Sequence, residues 1–334
     1  MKHPLVKIMA VILTLTVAAP ALAATIKLGS LAPKGSPWHK ALEDLAVEWA
    51  KLSAGKVRLR IYPGGVAGDE PDMVRKMRIG QLHAAALTGA GLARIAQEVQ
   101  ALQMPMMFRS DAELDHVRSR LMPKLNAALE AKGVHVLNWA DAGWVYFFTQ
   151  KPVVSPDDLK PLKLFAWVGE TAHIGAWRAA GYNPVPLPAT EIHTGLSSGL
   201  INAVPTTPIA ALSYQWFGLA KHMTDVKWAP LVGATVITKR GWRRVPAALR
   251  DKLRDAAREM GRKLQPRIRK LDSEAITIMK KHGLKVHEVP PPVEDAWVEG
   301  ARQGYARLID KVVPGAMVAE VERLRDAYRA AQGK

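Results

Sequence analysis

The feature that most constrains this chain is a repeated switch between two hydrophobic periods. Val57, Leu59 and Ile61 alternate with Arg58, Arg60 and Tyr62, a period of two that fits a half-buried strand. Upstream, Trp38, Ala41, Leu42, Leu45, Ala46 and Trp49 share one face at a period of 3.6, which predicts a helix over 36–52 with Ser36 as its cap and Pro37 in its first turn. With a strand at 25–30 these segments spell β-α-β, the unit of sheets covered by helices.

The switching continues along the chain. Helices are expected at 69–79 and 111–131, and strands at 82–87, 134–138 and 144–149. After the proline-punctuated stretch 151–159 come strands at 163–167, 183–187 and 200–204, alternating with helices at 170–180, 189–198 and 208–219. A β-rich run follows at 231–238, then a helical pattern from 246 to 281, about 50 Å long at the usual rise and interrupted by Pro266, which should kink it. Terminal helices are expected at 297–311 and 317–331. The long helix exceeds one small lobe, so it is expected to run along two.

The N-terminus bears on compartment. Lys2 and Lys7 form a short basic region, residues 8–18 an apolar run, and Ala21, Leu22 and Ala23 a small-residue cleavage site. The run is shorter than the roughly 18 to 20 residues that span a bilayer, so export to the periplasm with cleavage near Ala23 is expected, and residues 1–23 are read as a signal peptide. The chain has no cysteine, which rules out disulfides, thiolate metal sites and a lipoprotein anchor. The formal charge of +17 falls to +15 without Lys2 and Lys7. Its basic residues concentrate between Lys239 and Lys281 without interleaved stacking aromatics, which argues for a solvated helix face and against nucleic acid; peripheral contact with anionic membrane stays open.

Catalytic and cofactor motifs are few. Gly195, Ser197 and Gly199 satisfy G-x-S-x-G, but the string closes a helix and precedes a strand, the reverse of the order a nucleophile elbow needs. A periplasmic serine hydrolase at Ser197 is therefore the weaker alternative of another class. The histidines fall in no metal-ligand spacing, and the residues 88–91 lack the third glycine of a dinucleotide loop. No cofactor and no metal are expected, and the chain is not expected to be an enzyme. Aromatic density, in contrast, is high at Trp139, Trp144, Tyr146, Phe147 and Phe148, at Phe165 and Trp167, and at Tyr214, Trp216 and Phe217. Tryptophan presents a large flat apolar face, and ten of them are enough to line a cleft as well as a core.

An ordered series of strings spans the mature chain: GKVRLRIYP from Gly55, GQLHA from Gly80, MPMMF from Met104, SPDDLK from Ser155, and GYNPVPLP from Gly181, continued by Glu191, Thr194 and Gly199. In these the chain resembles the solute-binding receptors of TRAP (tripartite ATP-independent periplasmic) transporters, of the DctP type. The resemblance implies an α/β, two-lobed periplasmic binding protein fold, each lobe a mixed β-sheet flanked by helices. It also implies hinge closure over a small ligand and delivery to a TRAP-type membrane permease. Lobe I is expected at 24–147 plus 231–272, and lobe II at 148–230 plus 273–334.

The resemblance also implies an arginine clamp for an organic-acid carboxylate, and here the chain departs from it. The lysine-x-arginine string reads Lys163, Leu164, Phe165; a second arginine position aligns with Val145; and the usual asparagine is replaced around Thr206 and Thr207. Charged hydrogen bonds of this kind contribute roughly 1.5 to 3 kcal/mol each, so their loss should redirect the pocket towards a hydrophobic or lipid-like ligand. Strand alternation then puts Phe147 beside Val145 and Trp167 beside Phe165, with Trp144 and Tyr146 facing away. Thr206 is the expected polar anchor, and Trp38, Phe108, Tyr214 and Trp216 complete the expected ligand-binding set. The rival reading is a conventional organic-acid receptor in which another basic group, such as Arg178 or Arg240, replaces the clamp.

Overall fold

The computed structural model describes residues 23–333, so the expected signal peptide up to Leu22 lies outside the described residues. The chain opens with β1 (Ala24–Ser30), α1 (Pro37–Leu52), β2 (Val57–Tyr62), α2 (Glu70–Arg78), β3 (Ala84–Thr88), α3 (Gly89–Ala93) and α4 (Asp111–Ala131). Ser36 caps α1 by accepting from His39 N at 3.3 Å, as its place before Pro37 predicts. The long strand β4 (Val134–Thr149) leads into α5 (Pro156–Leu159), β5 (Lys163–Trp167), α6 (Thr171–Ala179), β6 (Asn183–Leu187), α7 (Ile192–Ser198), β7 (Ala203–Thr206) and α8 (Pro208–Ser213). A second long strand, β8 (His222–Thr238), precedes α9 (Lys239–Arg243), α10 (Ala247–Lys281), β9 (Lys285–Glu288), α11 (Pro291–Leu308) and α12 (Gly315–Ala331). No helix among the described residues is long and apolar enough to cross a membrane.

The strands form a mixed sheet in the order β2-β1-β3-β8-β4-β7-β5-β6, with β9 also paired to β8. The fold is α/β and two-lobed, because β4 and β8 each serve both ends of this sheet. Their outer portions pair with each other from Val134↔Thr238 to Asp141↔Val232, beside β3, and their inner portions from Trp144↔Pro230 to Thr149↔His222, beside β7. Register shifts separate the two portions between Asp141 and Trp144. Two strands expected at 134–138 and 144–149 are thus one strand, bulged where it passes from one lobe to the other. Gly143 at that bulge has φ +100°, and a Cβ there would stand 2.6 Å from Asp272 Oδ2, so the position needs glycine on both counts.

The helix α10 runs unbroken through Pro266 and buries Leu253, Ala257, Gly261, Leu264, Ile268, Asp272, Ala275 and Met279, a stripe at three- and four-residue spacing. It passes along α1, β4 and α8, and so along both lobes. Some of its basic residues pair with acids of the same helix, Arg254 with Asp251 at 2.9 Å and Arg262 with Glu259. The last helix, α12, packs on α4, where Arg329 donates to Glu113 at 2.5 Å and Lys124 pairs with Glu320 at 3.3 Å. Residues 315–331 therefore lie against α4.

Candidate ligand-binding site

A cavity of about 370 Å³ lies between the two lobes, within the size range of small-molecule sites. Its walls come from β4 and β8, where these cross between lobes, from β1 and β3 on one side, and from β5, α6, β7 and α11 on the other. Aromatic rings and small aliphatic side chains make up much of the wall. Trp38, Trp167, Trp177, Trp216 and Trp228 line it, half of the chain's ten tryptophans, together with Phe165, Tyr182 and Tyr214. Tyr214 and Trp216 stack at 4.4 Å with planes 7° apart, and Phe165 meets Trp167 edge-on at 5.7 Å.

The lobes touch across the mouth. Tyr214 Oη donates to Leu31 O at 2.6 Å, Ala189 N to Asp69 Oδ2 at 3.0 Å, and Arg94 Nη2 to Val168 O at 3.1 Å. Gly65 makes room here for the Thr190 side chain, since a Cβ on it would stand 2.6 Å from Thr190 Cγ2.

Of the residues expected from the sequence, Phe165, Val145, Trp167, Thr206, Trp38, Tyr214 and Trp216 line this cavity. Phe147 does not, contrary to the alternation argument. A register shift falls between Val145 and Phe147, and the Phe147 ring is fully buried, 5.2 Å from Trp297, 5.4 Å from Trp228 and 6.5 Å from Trp177. Trp177 and Trp228 are the cavity wall, so Phe147 stands one layer behind it. Phe108 is also absent from the lining and belongs to the core beside α4. Thr207 is fully buried and caps α8, accepting from Ala210 N at 3.4 Å, which leaves Thr206 as the hydroxyl that faces the cavity. Ser197 sits on the exposed face of α7, its hydroxyl donating to His193 O of the same helix at 2.9 Å. Gly199 ends that helix at φ +71°.

Several lining groups had no sequence signal pointing to them. Trp177 and Trp228 lie outside the aromatic clusters, and Glu70, Gln100, Gln103, Asn138, Asp141, Glu170 and His173 are isolated polar residues. Glu70 is buried and accepts from Thr88 N at 2.7 Å, Thr88 Oγ1 at 2.8 Å and Gly91 N at 2.7 Å; burial nevertheless pushes its carboxyl up to about 7. Burial likewise pushes Glu170 up to about 7, opposed by Arg94, and pushes the His173 imidazole down to about 4. Asp141 is ionically occupied: Arg118 donates to it, Arg269 Nη2 donates at 2.8 Å, and Asp115 holds both guanidiniums from the other side at 2.7 to 2.8 Å. Neither lysine nor arginine is among the lining residues. Arg178 and Arg240 are exposed, and Arg240 packs by Gly80 on the outside of the first lobe.

Residues 28–311 match the model of the DctP family, described as bacterial extracellular solute-binding protein, family 7. The chain belongs to this family. It is 28% identical over 254 residues to the 2,3-diketo-L-gulonate-binding periplasmic protein YiaO of Escherichia coli K12, covering 74% of this chain and 75% of that one. It is 24% identical over 293 residues to the C4-dicarboxylate-binding periplasmic protein DctP of Rhodobacter capsulatus, 86% and 87% of the two chains. A TRAP periplasmic solute-binding protein of Ralstonia eutropha H16, solved with bound (S)-2-acetolactate, superposes with a TM-score of 0.84 over 91% of this chain and 99% of that one at 22% identity. The chain is a solute-binding receptor of the TRAP type, from a family of periplasmic binding proteins and not of enzymes.

Phe165, Val145 and Thr206, read from the sequence as departures from the resemblance, all line the cavity. Phe165 and Val145, at the two positions where the family resemblance implies arginine, are 3% and 9% exposed and contribute only hydrocarbon to the wall. Introducing a guanidinium at either would set a cation into a space already bordered by Glu70, Glu170 and Asp141.

Proposed function

We propose that this TRAP-type receptor captures an uncharged, predominantly apolar small molecule in the interlobe cavity and passes it to a membrane permease. The observation that carries the reading is the wall itself: aromatic and aliphatic over most of its area, with carboxyl groups and no cation. An anion placed there would lose its hydration without a countercharge, at a cost of several kcal/mol. Burying about 350 Å² of apolar ligand surface contributes roughly 9 kcal/mol gross at 25 cal/mol per Å², from which association costs are subtracted. Phe165, Val145, Trp167, Trp38, Tyr214 and Trp216 supply the contact surface, with Thr206 as a hydroxyl anchor. In this reading the lobes divide at the Asp141 to Trp144 bulge, and ligand favours the closed arrangement by adding contacts to both sides.

A second reading has its own support. The ligands named for YiaO, DctP and the Ralstonia protein are all organic acids, and on the relatives alone an organic acid is the better-supported cargo. It requires a cation from outside the present lining. Arg94, tied to Val168 O at the mouth, is the guanidinium placed to move.

Mass spectrometry of small molecules released by denaturing the protein purified from its native host separates the two. The apolar reading expects an uncharged, hydrocarbon-rich compound, and a dicarboxylate or sugar acid overturns it. Thermal unfolding gives a second readout: succinate and galacturonate at millimolar concentration should leave the midpoint unchanged, whereas a ligand at a hundred times its Kd adds about 2.7 kcal/mol.

A further inference from the structure

The apolar cavity has one polar end. Glu70 is bonded to Thr88, Gln103 packs over the neighbouring Gly89, Gln103 Nε2 donates to Gln100 Oε1 at 3.4 Å, and Glu170 lies within the electrostatic reach of Glu70. All of these but Gly89 line the cavity. Their mutual hydrogen bonds leave specific atoms open. The three donors to Glu70 satisfy its carboxylate. Gln103 Oε1 is buried without a partner. The Glu170 carboxylate is 16% exposed and receives no hydrogen bond from the described residues; His173 Nδ1 is 3.7 Å away. Arg94, whose charge opposes the upward shift of the Glu170 carboxyl, donates to Val168 O. The Glu170 carboxylate is thus an unmatched acceptor in the cavity wall, and a buried acceptor left unmatched is costly.

We infer that Glu170 selects the ligand's head group, accepting a hydrogen bond from a hydroxyl and excluding a carboxylate at the same place. This rests on the apolar reading of the cavity and narrows it to hydrocarbon-bodied alcohols. The chemistry is one-sided. A hydroxyl donates its proton to the Glu170 carboxylate, whereas a carboxylate brings only acceptors and a charge of the same sign as Glu170 and Glu70. The neutral His173 imidazole offers an anion no countercharge.

The test uses decan-1-ol and decanoate, equal in chain length, titrated at pH 8 below their aggregation limits into the full mature protein, with tryptophan fluorescence of the cavity wall as readout. The wild-type protein should bind decan-1-ol at least tenfold more tightly than decanoate. Glu170→Gln, close in shape and able to donate, should narrow that ratio at least fivefold, chiefly by tightening decanoate, with an unfolding midpoint close to that of the wild type. Comparable affinity for both compounds in the wild type overturns the inference while leaving the apolar reading intact, and so does a ratio that Glu170→Gln leaves unchanged. Binding of neither compound, or preference for decanoate, overturns the apolar reading and the inference together. The wild-type ratio decides even if the variant does not fold.

Discussion

Replacing Phe147 by alanine should destabilise the protein severely and leave ligand affinity nearly unchanged, because the ring lies behind the cavity wall. The Phe147 ring is fully buried and packs against Trp297 with planes 20° apart at 5.2 Å, against Trp228 at 5.4 Å and edge-on to Trp177 at 6.5 Å. Phe→Ala in such a core costs about 3 to 5 kcal/mol through lost transfer energy and the cavity left behind. The aromatic geometry, with each ring pair contributing about 0.5 to 1.5 kcal/mol beyond area, places this site at the upper end of that range. Native domains are stable by roughly 5 to 15 kcal/mol, so the variant should still fold. A loss near 5 kcal/mol in a chain of this length corresponds to a midpoint lower by roughly 10 °C. Trp167→Ala is the matched contrast: its ring is only partly buried and lines the cavity, so stability should change by no more than about 1 to 2 kcal/mol while affinity for the extracted ligand falls at least tenfold. Thermal and urea unfolding, read beside ligand titration, measure both. A Phe147→Ala midpoint within about 2 °C of the wild type, or an affinity loss as large as that of Trp167→Ala, would refute the assignment of Phe147 to the core.

Three further outcomes follow from the crossing between lobes. Gly143→Ala should cost about 2 to 4 kcal/mol in urea unfolding, since φ +100° and a 2.6 Å approach to Asp272 Oδ2 oppose any Cβ, and an unchanged midpoint would contradict that geometry. Asp272 is pushed up to about 7 from 3.8 chiefly by burial, so between pH 4 and 7 the native state holds a proton that the unfolded chain has released. Stability should therefore fall as pH rises through that window, by as much as about 4 kcal/mol, and Asp272→Asn should flatten the slope; parallel pH curves for the two proteins would count against it. Asp141→Ala removes an acceptor shared by Arg118 and Arg269 and should destabilise by about 3 kcal/mol, read as a shift of the urea midpoint at constant m-value.

Much of the fold was legible because local patterns carry it. The period-two run in β2, the Ser36-Pro37 start of α1 and the αL glycine after α7 each encode their element within a few residues, and each is found where the pattern puts it. Legibility ended where partners distant in sequence decide the outcome. The second long strand, β8, starts at His222, nine residues before the apolar run that announced it, because its first half is held by pairing with β4 and β9. The helix expected over 208–219 stops at Ser213, and Gln215 turns the chain at φ +59° into the short turn carrying Trp216.

For the site, the sequence by itself determined the substitutions: Phe165, Val145 and Thr206 stand where the family resemblance places polar clamps, and that could be read without coordinates. Which side chains share a cavity was decided only by tertiary structure. Alternation on one strand assigns a face but not a depth, so Val145 reaches the cavity while Phe147, two residues on, is covered by Trp177 and Trp228 from other elements. Glu170, Gln103 and Glu70 come from three separate segments, and the unpartnered Gln103 Oε1 and the raised carboxyls of Glu70 and Glu170 exist only because the folded chain removes them from water. Desolvation is a property of the assembled fold, and no run of residues encodes it.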